Sequence, residues 1–331
     1  MGACSSNHEK GDLKIQTLVK IQSLFRTHLA KKKLHKIKED KLKAIFSSER
    51  ARSESYVNGG DPLRANLSTR PFILTEDQIR NLQNDGVMRV YIDLFQEVGD
   101  GKKYKGQWNK RTNQRDGLGV QLWPDGSKYE GMWKNGKCNG MGRMTHANGD
   151  IYQGEWKDDQ ANGTGTFIDT NGARYVGQWE NDLQHGNGEE SWNSAKTSYT
   201  GQFFKGKKHG RGRFLWEDGS YYEGDFVDGQ FEGHGKYYFA DLDKYYEGEF
   251  RMSNMEGRGA ESWSDGRRYE GDFKNGKKDG EGTFIWPNGN KYIGSWRADK
   301  QHGIGIYYNS KDGSKKQGEW VNGKRHNWIT Q

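Results

Sequence analysis

Aromatic residues and glycines alternate with polar residues in one short pattern that returns ten times along most of the chain. The pattern is Tyr-x-Gly-x-Trp/Phe, and its first copy is Tyr104-Lys105-Gly106-Gln107-Trp108. Because neighbouring side chains of a strand point to opposite sides, the Tyr, Gly and Trp share one face and the residues between them share the other. The pattern therefore predicts a strand with one aromatic face and one polar face.

The ten copies begin 23 to 25 residues apart. A period of this length is the signature of a repeat array, in which each unit buries surface only against its neighbours. The last copy has Lys316 in the tyrosine position. The other motif positions are Tyr104, Gly106, Trp108, Tyr129, Gly131, Trp133, Tyr152, Gly154, Trp156, Tyr175, Gly177, Trp179, Tyr199, Gly201, Phe203, Tyr222, Gly224, Phe226, Tyr246, Gly248, Phe250, Tyr269, Gly271, Phe273, Tyr292, Gly294, Trp296, Gly318 and Trp320.

Turn signals divide each repeat into two strands. Pairs such as Asn135-Gly136 follow the first strand and pairs such as Asp125-Gly126 precede the next tyrosine, and both are strong hairpin signals. Between them lies a second element with paired glycines, which in the first repeat is Gly117-Leu118-Gly119. Residues 191–195 and 241–243 lack such a turn pair. Two strands per repeat predict an antiparallel β-hairpin meander of up to about twenty strands.

Composition shows how such a sheet obtains a core. Apolar residues make up only 31% of the 331 residues, against ~45–50% in globular domains, and 47 residues are glycine. That combination often indicates disorder, but 13% of the residues are aromatic, and rings supply a core with few side chains. We expect aromatic rows that cross the strands to form this core.

The two elements closely resemble the MORN (membrane occupation and recognition nexus) repeat, which is a Tyr-x-Gly-x-Trp element followed by a Gly-x-Gly element. The resemblance covers about two thirds of the chain and includes nine Gly-x-Gly copies. It implies extended scaffolds at membrane contacts, cytoskeletal structures and ciliary axonemes, without one common activity. The expected fold is an all-β array of about ten MORN repeats preceded by an N-terminal basic α-helix.

The first residues predict lipid attachment. Residues 1–6 fit the N-myristoylation pattern with Gly2 as acceptor, and Cys4 beside it suits palmitoylation. One myristoyl chain binds a membrane only marginally, with K on the order of 10⁴ M⁻¹, so stable attachment needs a second signal. Cys4 is one such signal. The basic arm is another, because residues 1–55 hold thirteen Lys/Arg against six Asp/Glu and so carry the whole +7 of the chain. The alternative is a chance match in an unmodified tag.

The basic arm also resembles an IQ motif, the docking helix for calmodulin-like proteins. The matching positions are Ile21, Gln22, Phe25, Arg26, Lys31 and Leu34, whereas Thr27 replaces the usual Gly. A basic amphipathic helix suits an acidic, Met-rich groove. The alternative is a helix that packs on the array or lies on a membrane. Nucleic-acid binding is disfavoured because the arm has two aromatic residues and no reading module.

No pattern indicates catalysis. A phosphate-binding loop needs a helix behind it and a following Lys-Ser/Thr, which the Gly-x-Gly elements lack. His185, His209 and His302 occupy equivalent positions of separate repeats, so we do not expect them to converge on a metal. We therefore expect no enzymatic activity, no cofactor and no metal site.

Compartment signals are few. Cys4 and Cys138 are the only cysteines, which favours a cytosolic protein without a disulfide framework. No apolar run reaches the about 18 residues of a membrane span, and no signal-peptide core follows Met1.

These observations divide the chain into four parts. Residues 1–8 are an acylation tag, 9–55 a basic helix with the IQ-like motif, 56–100 a connector and cap, and 101–326 the array. In the connector, Thr75-Glu76-Asp77-Gln78 is a capping box that predicts a short helix to about Asn84. Residues 87–98 alternate as an additional strand would.

The leading hypothesis is a non-enzymatic scaffold or tether on the cytoplasmic face of a plasma or ciliary membrane. Its expected partners are a calmodulin-like protein, an anionic membrane surface and unknown proteins on the array, with a possible homodimer through exposed edge strands. A second hypothesis is a structural component of a ciliary axoneme or cytoskeletal assembly. A third is an accessory subunit that regulates a lipid kinase, which rests on family analogy alone.

Overall fold

A computed structural model describes residues 72–192 and 196–329. Its helix is α1 (Glu76–Gln83), which is capped at its N-terminus by Thr75. The Thr75 hydroxyl accepts a hydrogen bond from the Gln78 amide, and the Gln78 side chain accepts one from the Thr75 amide. The capping box predicted from the sequence is therefore confirmed, and so is the end of the helix near Asn84.

All other regular elements in the described residues are β-strands. The strands are β1 (Arg89–Glu97), β2 (Lys103–Asn109), β3 (Arg115–Leu122), β4 (Lys128–Lys134), β5 (Lys137–Thr145), β6 (Ile151–Lys157), β7 (Gln160–Ile168), β8 (Arg174–Glu180), β9 (Leu183–Trp192), β10 (Thr197–Phe204), β11 (Lys207–Leu215), β12 (Tyr221–Val227), β13 (Gln230–Phe239), β14 (Lys244–Arg251), β15 (Asn254–Trp263), β16 (Arg268–Lys274), β17 (Lys277–Ile285), β18 (Lys291–Arg297), β19 (Lys300–Tyr308), β20 (Lys315–Val321) and β21 (Lys324–Trp328).

The 21 strands form one open antiparallel meander, in which each strand pairs with the next one along the chain. From β2 onward, even-numbered strands carry the Tyr-x-Gly-x-Trp element and, through β19, the odd-numbered strand that follows carries the Gly-x-Gly element. The predicted all-β meander is confirmed. The strand beyond the predicted twenty is β1, which lies before the first repeat and pairs with β2.

One row of glycines crosses the sheet perpendicular to the strands. Each strand from β2 to β20 contributes one glycine, and each glycine is the register partner of the next, as in Gly106, Gly119 and Gly131. A β-carbon on Gly119 would overlap the ring of Tyr104. The row therefore leaves space for the motif tyrosines to lie flat over the backbone.

Each Tyr strand is joined to its Gly-x-Gly strand by a tight turn, apart from the longer first connection. In the turn between β4 and β5, Asn135 and Gly136 both have left-handed backbone conformations, with φ of 51° and 82°. This is the geometry of a type I′ turn. Four further turns have two left-handed residues without any glycine, and these are Asp158–Asp159, Asn181–Asp182, Met252–Ser253 and Ala298–Asp299.

The two places without a predicted turn pair have different outcomes. Residues 193–195 lie outside the described residues. Between β13 and β14, residues 240–243 form a four-residue loop in which Asp243 takes the left-handed conformation with φ 41°. The expected acylation tag and basic helix also lie outside the described residues. Within 72–192 and 196–329, no helix has the length and apolar content needed to cross a membrane.

Candidate interaction surface

The motif tyrosine is the centre of each repeat. Because side chains alternate along a strand, the Tyr and Trp of the motif lie on one side of the sheet, here called the ring face, and the residues between them lie on the other, the outer face. Tyr222 is completely buried, and its hydroxyl donates a 2.9 Å hydrogen bond to the carbonyl of Asp225. Each of the nine motif tyrosines makes this bond to the carbonyl three residues later.

Aromatic rings connect the repeats into one continuous spine. Tyr129 meets Trp133 of its own repeat at 5.1 Å and Trp156 of the next repeat at 5.3 Å, both edge to face. The same alternation runs from Tyr104 to Trp320. Edge-to-face pairs contribute ~0.5–1.5 kcal/mol beyond burial, so every repeat stabilises both of its neighbours.

Tryptophan adds a polar link that phenylalanine cannot make. The Nε1 of Trp156 donates to the carbonyl of Gly142 in the preceding repeat at 3.2 Å, and Trp133, Trp179 and Trp296 make the equivalent bond. Repeats with Phe at this position keep the ring contacts but lack this bond, as Phe203 and Phe226 show. The strength of the link between repeats therefore varies along the array.

Ion pairs replace rings at two positions of the ring face. Glu261 is 2% exposed, and its carboxylate binds Lys244 at 2.6 Å and Lys278 at a shorter distance. The Lys278 ammonium also lies 5.1 Å from the ring of Tyr269. Glu190 and Lys208 form the equivalent pair at 2.6 Å. Each of these carboxylates is therefore paired with at least one ammonium group on the ring face.

The outer face carries rows of exposed side chains that follow the pairing of the strands. In the row through Arg213, Glu223, Lys236 and Glu247, each residue is the register partner of the next and the charges alternate in sign. The row continues to Ala260 and Glu270. The core of the array does not depend on these exposed side chains. The outer face is therefore available for recognition.

The two ends of the sheet differ in chemistry. At the N-terminal edge, β1 exposes Tyr91, Leu94 and Phe95, by 57%, 74% and 44%. At the C-terminal edge, β21 is five residues long and exposes Lys324 and Arg325. Short, charged edge strands discourage pairing with another chain, whereas apolar ones permit it. Of the two edges, the N-terminal one is therefore better suited to pair with a strand of another chain.

The three histidines singled out from the sequence lie in β9, β11 and β19. His185 Nδ1 lies 3.2 Å from a Glu180 carboxylate oxygen, and His209 Nδ1 lies 3.9 Å from an oxygen of Asp228. In residues 72–192 and 196–329, no group of three or more His, Cys, Asp or Glu is placed to hold a metal ion. Cys138 is buried and its pKa is raised by burial.

The sequence-predicted site residues fall into two groups. The motif residues from Tyr104 to Trp320 lie along the spine and the glycine row, apart from the exposed Lys316. The proposed lipidation residues Gly2 and Cys4, and the calmodulin-like positions from Ile21 to Leu34, lie outside the described residues.

Sequence reasoning missed one feature of the outer face. Tyr221, Tyr238 and Tyr245 stand side by side on three successive strands, with ring centroids 5.6 Å and 4.7 Å apart. We call them the tyrosine stripe. Each is adjacent in sequence to a second tyrosine that lies on the ring face. Pairs of adjacent tyrosines on three consecutive strands are therefore the sequence feature that could have predicted the stripe.

A hairpin that recurs every 23 to 25 residues, a glycine row and an aromatic spine together define a β-hairpin repeat protein. The MORN repeat family model matches residues 104–128, 129–151, 152–174, 175–194, 199–221, 222–244, 246–267, 269–291, 292–313 and 317–327. The chain belongs to the MORN repeat family, and the ten predicted repeats are confirmed.

Other comparisons are distant. A search among curated protein sequences finds no match. Among solved structures, the chain is similar to the wild-type TCP10 domain of Danio rerio CPAP, with 11% identity, a TM-score of 0.36, and coverage of 61% of this chain and 94% of that one. A streptogramin B lyase structure has 11% identity and a TM-score of 0.14, and covers 71% of this chain and 87% of that one.

Proposed function

We propose that the protein is a non-enzymatic scaffold that is held at the cytoplasmic face of a membrane and presents its sheet to protein partners. The observation that carries the scaffold role is the continuous sheet with a self-contained spine. The rings that stabilise the array are covered by one another on the ring face. The outer face is therefore left with exposed charged and aromatic side chains that the fold does not require.

The membrane part of the proposal is supported by the N-terminal sequence. Gly2 and Cys4 would carry two acyl chains, and the basic arm would add attraction to anionic lipid of up to ~1 kcal/mol per basic residue near the surface. A calmodulin-like protein that covers residues 21–34 would remove that attraction. The arm would then act as an electrostatic switch between membrane and cytosol.

The exposed N-terminal edge supports a further part of this proposal, which is self-association. A second copy would add its β1 to the side of β1 that pairs with no strand of residues 72–192 and 196–329, where Tyr91 and Phe95 are exposed. The register shift between Ile92 and Gln96 limits regular pairing to a short stretch. We therefore expect a weak dimer rather than an obligate one.

Fractionation of cells that express the full chain tests the membrane proposal. We expect the wild type in detergent-soluble membranes and Gly2→Ala in the cytosol, with Ser5→Ala as a control that keeps the acceptor glycine. Adding calcium-loaded calmodulin to isolated membranes should release a Cys4→Ala variant, which is held by one acyl chain and the basic arm, but not the same variant with Phe25→Ala/Arg26→Ala added. If wild type and Gly2→Ala both stay in a detergent-resistant pellet, the lipid proposal fails, and an axonemal or cytoskeletal role takes its place.

A further inference from the structure

The tyrosine stripe lies where the repeat does not require aromatic residues. In each case the preceding or following tyrosine belongs to the ring face, and Tyr221, Tyr238 and Tyr245 are register partners in one row of the outer face. Arg213 lies 4.3 Å over the ring of Tyr221, and Lys236 lies 4.8 Å over the ring of Tyr245. The three rings therefore form a ribbed aromatic surface that runs across β12, β13 and β14.

The spacing of this surface matches a polyproline II helix. Strands lie ~4.8 Å apart, so Tyr221 and Tyr245, two strands apart, are separated by about 9.6 Å across the sheet. A polyproline II helix has three residues per turn and rises ~3.1 Å per residue, so prolines at positions i and i+3 are about 9.3 Å apart. Prolines with this spacing would each contact one of the two outer rings, Tyr221 and Tyr245.

A notch beside Tyr245 contains a carboxylate, Glu247, that has no ion-pair partner among the described residues. Along the neighbouring row, Lys236 separates Glu223 from Glu247, but Ala260 stands between Glu247 and Glu270 where a cation would continue the alternation. The small side chain leaves a shallow cavity of about 430 Å³, whose lining includes Tyr245 and the basic residues Lys236, Arg258 and Arg268.

The carboxylates around this notch differ in whether they have an ion-pair partner. Arg268 lies 3.3 Å from a Glu270 oxygen and Arg258 lies 3.4 Å from an Asp272 oxygen. Glu247 forms no ion pair among the described residues and is exposed. A basic side chain of a ligand that enters above Ala260 would give Glu247 the partner that the row lacks.

From this geometry we propose that the tyrosine stripe and the notch bind a proline-rich protein segment in the polyproline II conformation, with Arg or Lys at the end that meets Glu247. The inference rests on the proposed scaffold function and names one class of partner for it. Membrane attachment through Gly2 does not depend on this surface, so the two proposals fail separately.

Peptide binding to the full-length chain tests the proposal. The probe is fluorescein-labelled decaproline followed by two arginines, and fluorescence anisotropy follows its binding. Two comparison peptides replace the arginines by glutamates or the decaproline by five Gly-Ser pairs. We expect saturable binding of the probe, and at least tenfold weaker binding when the proline part is replaced. The glutamate peptide should bind several-fold more weakly.

Variants locate the binding site. Tyr221→Ala/Tyr245→Ala should weaken binding of the probe about tenfold or more, as expected for aromatic anchors. Tyr308→Ala is the matched control, because Tyr308 occupies the same row of the outer face between Lys291 and Lys315 without a neighbouring tyrosine. It should leave binding unchanged.

A second variant keeps the tyrosines. Ala260→Arg places the missing cation between Glu247 and Glu270, and it should reduce binding of the arginine probe to the level of the glutamate peptide. Equal binding of the proline and Gly-Ser peptides would overturn the proposal, as would binding that is unaffected by Tyr221→Ala/Tyr245→Ala. Failure of the probe to bind while these variants reduce binding to anionic vesicles would assign the surface to lipid instead.

Discussion

At the scale of single residues, the motif tyrosine combines two separate roles. Its ring fills the space above the glycine row and contacts two aromatic residues, as Tyr129 does with Trp133 and Trp156. Its hydroxyl satisfies a carbonyl of its own strand, at 3.0 Å from Met132 in this repeat. A buried hydroxyl without a partner would cost ~1–3 kcal/mol, so the bond removes this cost for each motif tyrosine.

Burial of these tyrosines predicts a steep loss of stability at alkaline pH. Burial raises the pKa of all nine motif tyrosines above the ordinary value near 10, and it raises the pKa of Tyr292 to about 12. Because the unfolded chain ionises first, the stability is fully present below pH 10 and is lost as the pH rises toward 12 and beyond.

Absorbance at 295 nm and far-ultraviolet circular dichroism, recorded together from pH 8 to 13, check this prediction. We expect exposed tyrosines to ionise first and the buried set to ionise only as the sheet is lost. A Tyr292→Phe variant, which has one ionisable buried group fewer, should give a shallower transition. Ionisation of all tyrosines near pH 10 with an intact sheet would contradict the account.

The sequence identified the motif residues but not their hydrogen bonds. Alternation was sufficient to place the rings of Tyr104 and Trp108 on one face. The hydroxyl bond to the residue three positions later depends on how the strand bends at Gly106, where the register shifts, and this shift is not visible in the motif. The Glu261 and Lys278 pair was also missed, because its partners lie on separate strands and meet only when the repeats are stacked.

At the scale of elements, the turns show that glycine is only one way to close a hairpin. Where the second turn residue is not glycine, its side chain accepts a hydrogen bond from an amide of the preceding repeat. Asp182 accepts from Ala161 at 2.6 Å, Asp159 from Cys138 at 2.7 Å, and Asp299 from Lys278 at 3.0 Å. The cost of a left-handed non-glycine residue is therefore offset by a contact between repeats.

Substitutions at Asp182 separate these two effects. Asp182→Ala should be the most destabilising, by about 1–3 kcal/mol, because it leaves the Ala161 amide without its acceptor while the left-handed strain of a β-carbon remains. Asp182→Gly should cost less because it relieves the strain. Asp182→Asn should be nearly neutral because it keeps an oxygen acceptor and tolerates this conformation.

Denaturant or thermal unfolding of the three Asp182 variants measures the order. If Asp182→Gly were as damaging as Asp182→Ala, backbone strain would have no part in the effect. The hairpins that contain Asn-Gly or Asp-Gly were located correctly from the sequence. No residue pair signals the turn at Asn181–Asp182 directly, and only the period of the repeat implies a turn there.

At the scale of the whole molecule, the array is a one-dimensional stack. Each strand pairs only with its sequence neighbours, and each ring contacts only its own and the adjacent repeats. In such arrays, stability is approximately a sum of repeat terms and nearest-neighbour terms. Damage to one repeat should therefore spread to its neighbours and decrease with distance, which leaves distant surfaces such as the N-terminal edge able to function.

Hydrogen exchange measured by mass spectrometry on Tyr199→Ala tests this central claim most directly. Tyr199 is completely buried and meets Phe203 at 5.1 Å and Phe226 at 5.0 Å, so its loss removes the link between two repeats. Thr200→Ala, at an exposed position of the same strand, is the control. We expect amide protection to fall most in β9 to β12, and progressively less outward, with β2 to β5 and β18 to β20 close to wild type. An equal loss of protection through all ten repeats, or none around β10, would contradict a spine made of nearest-neighbour contacts.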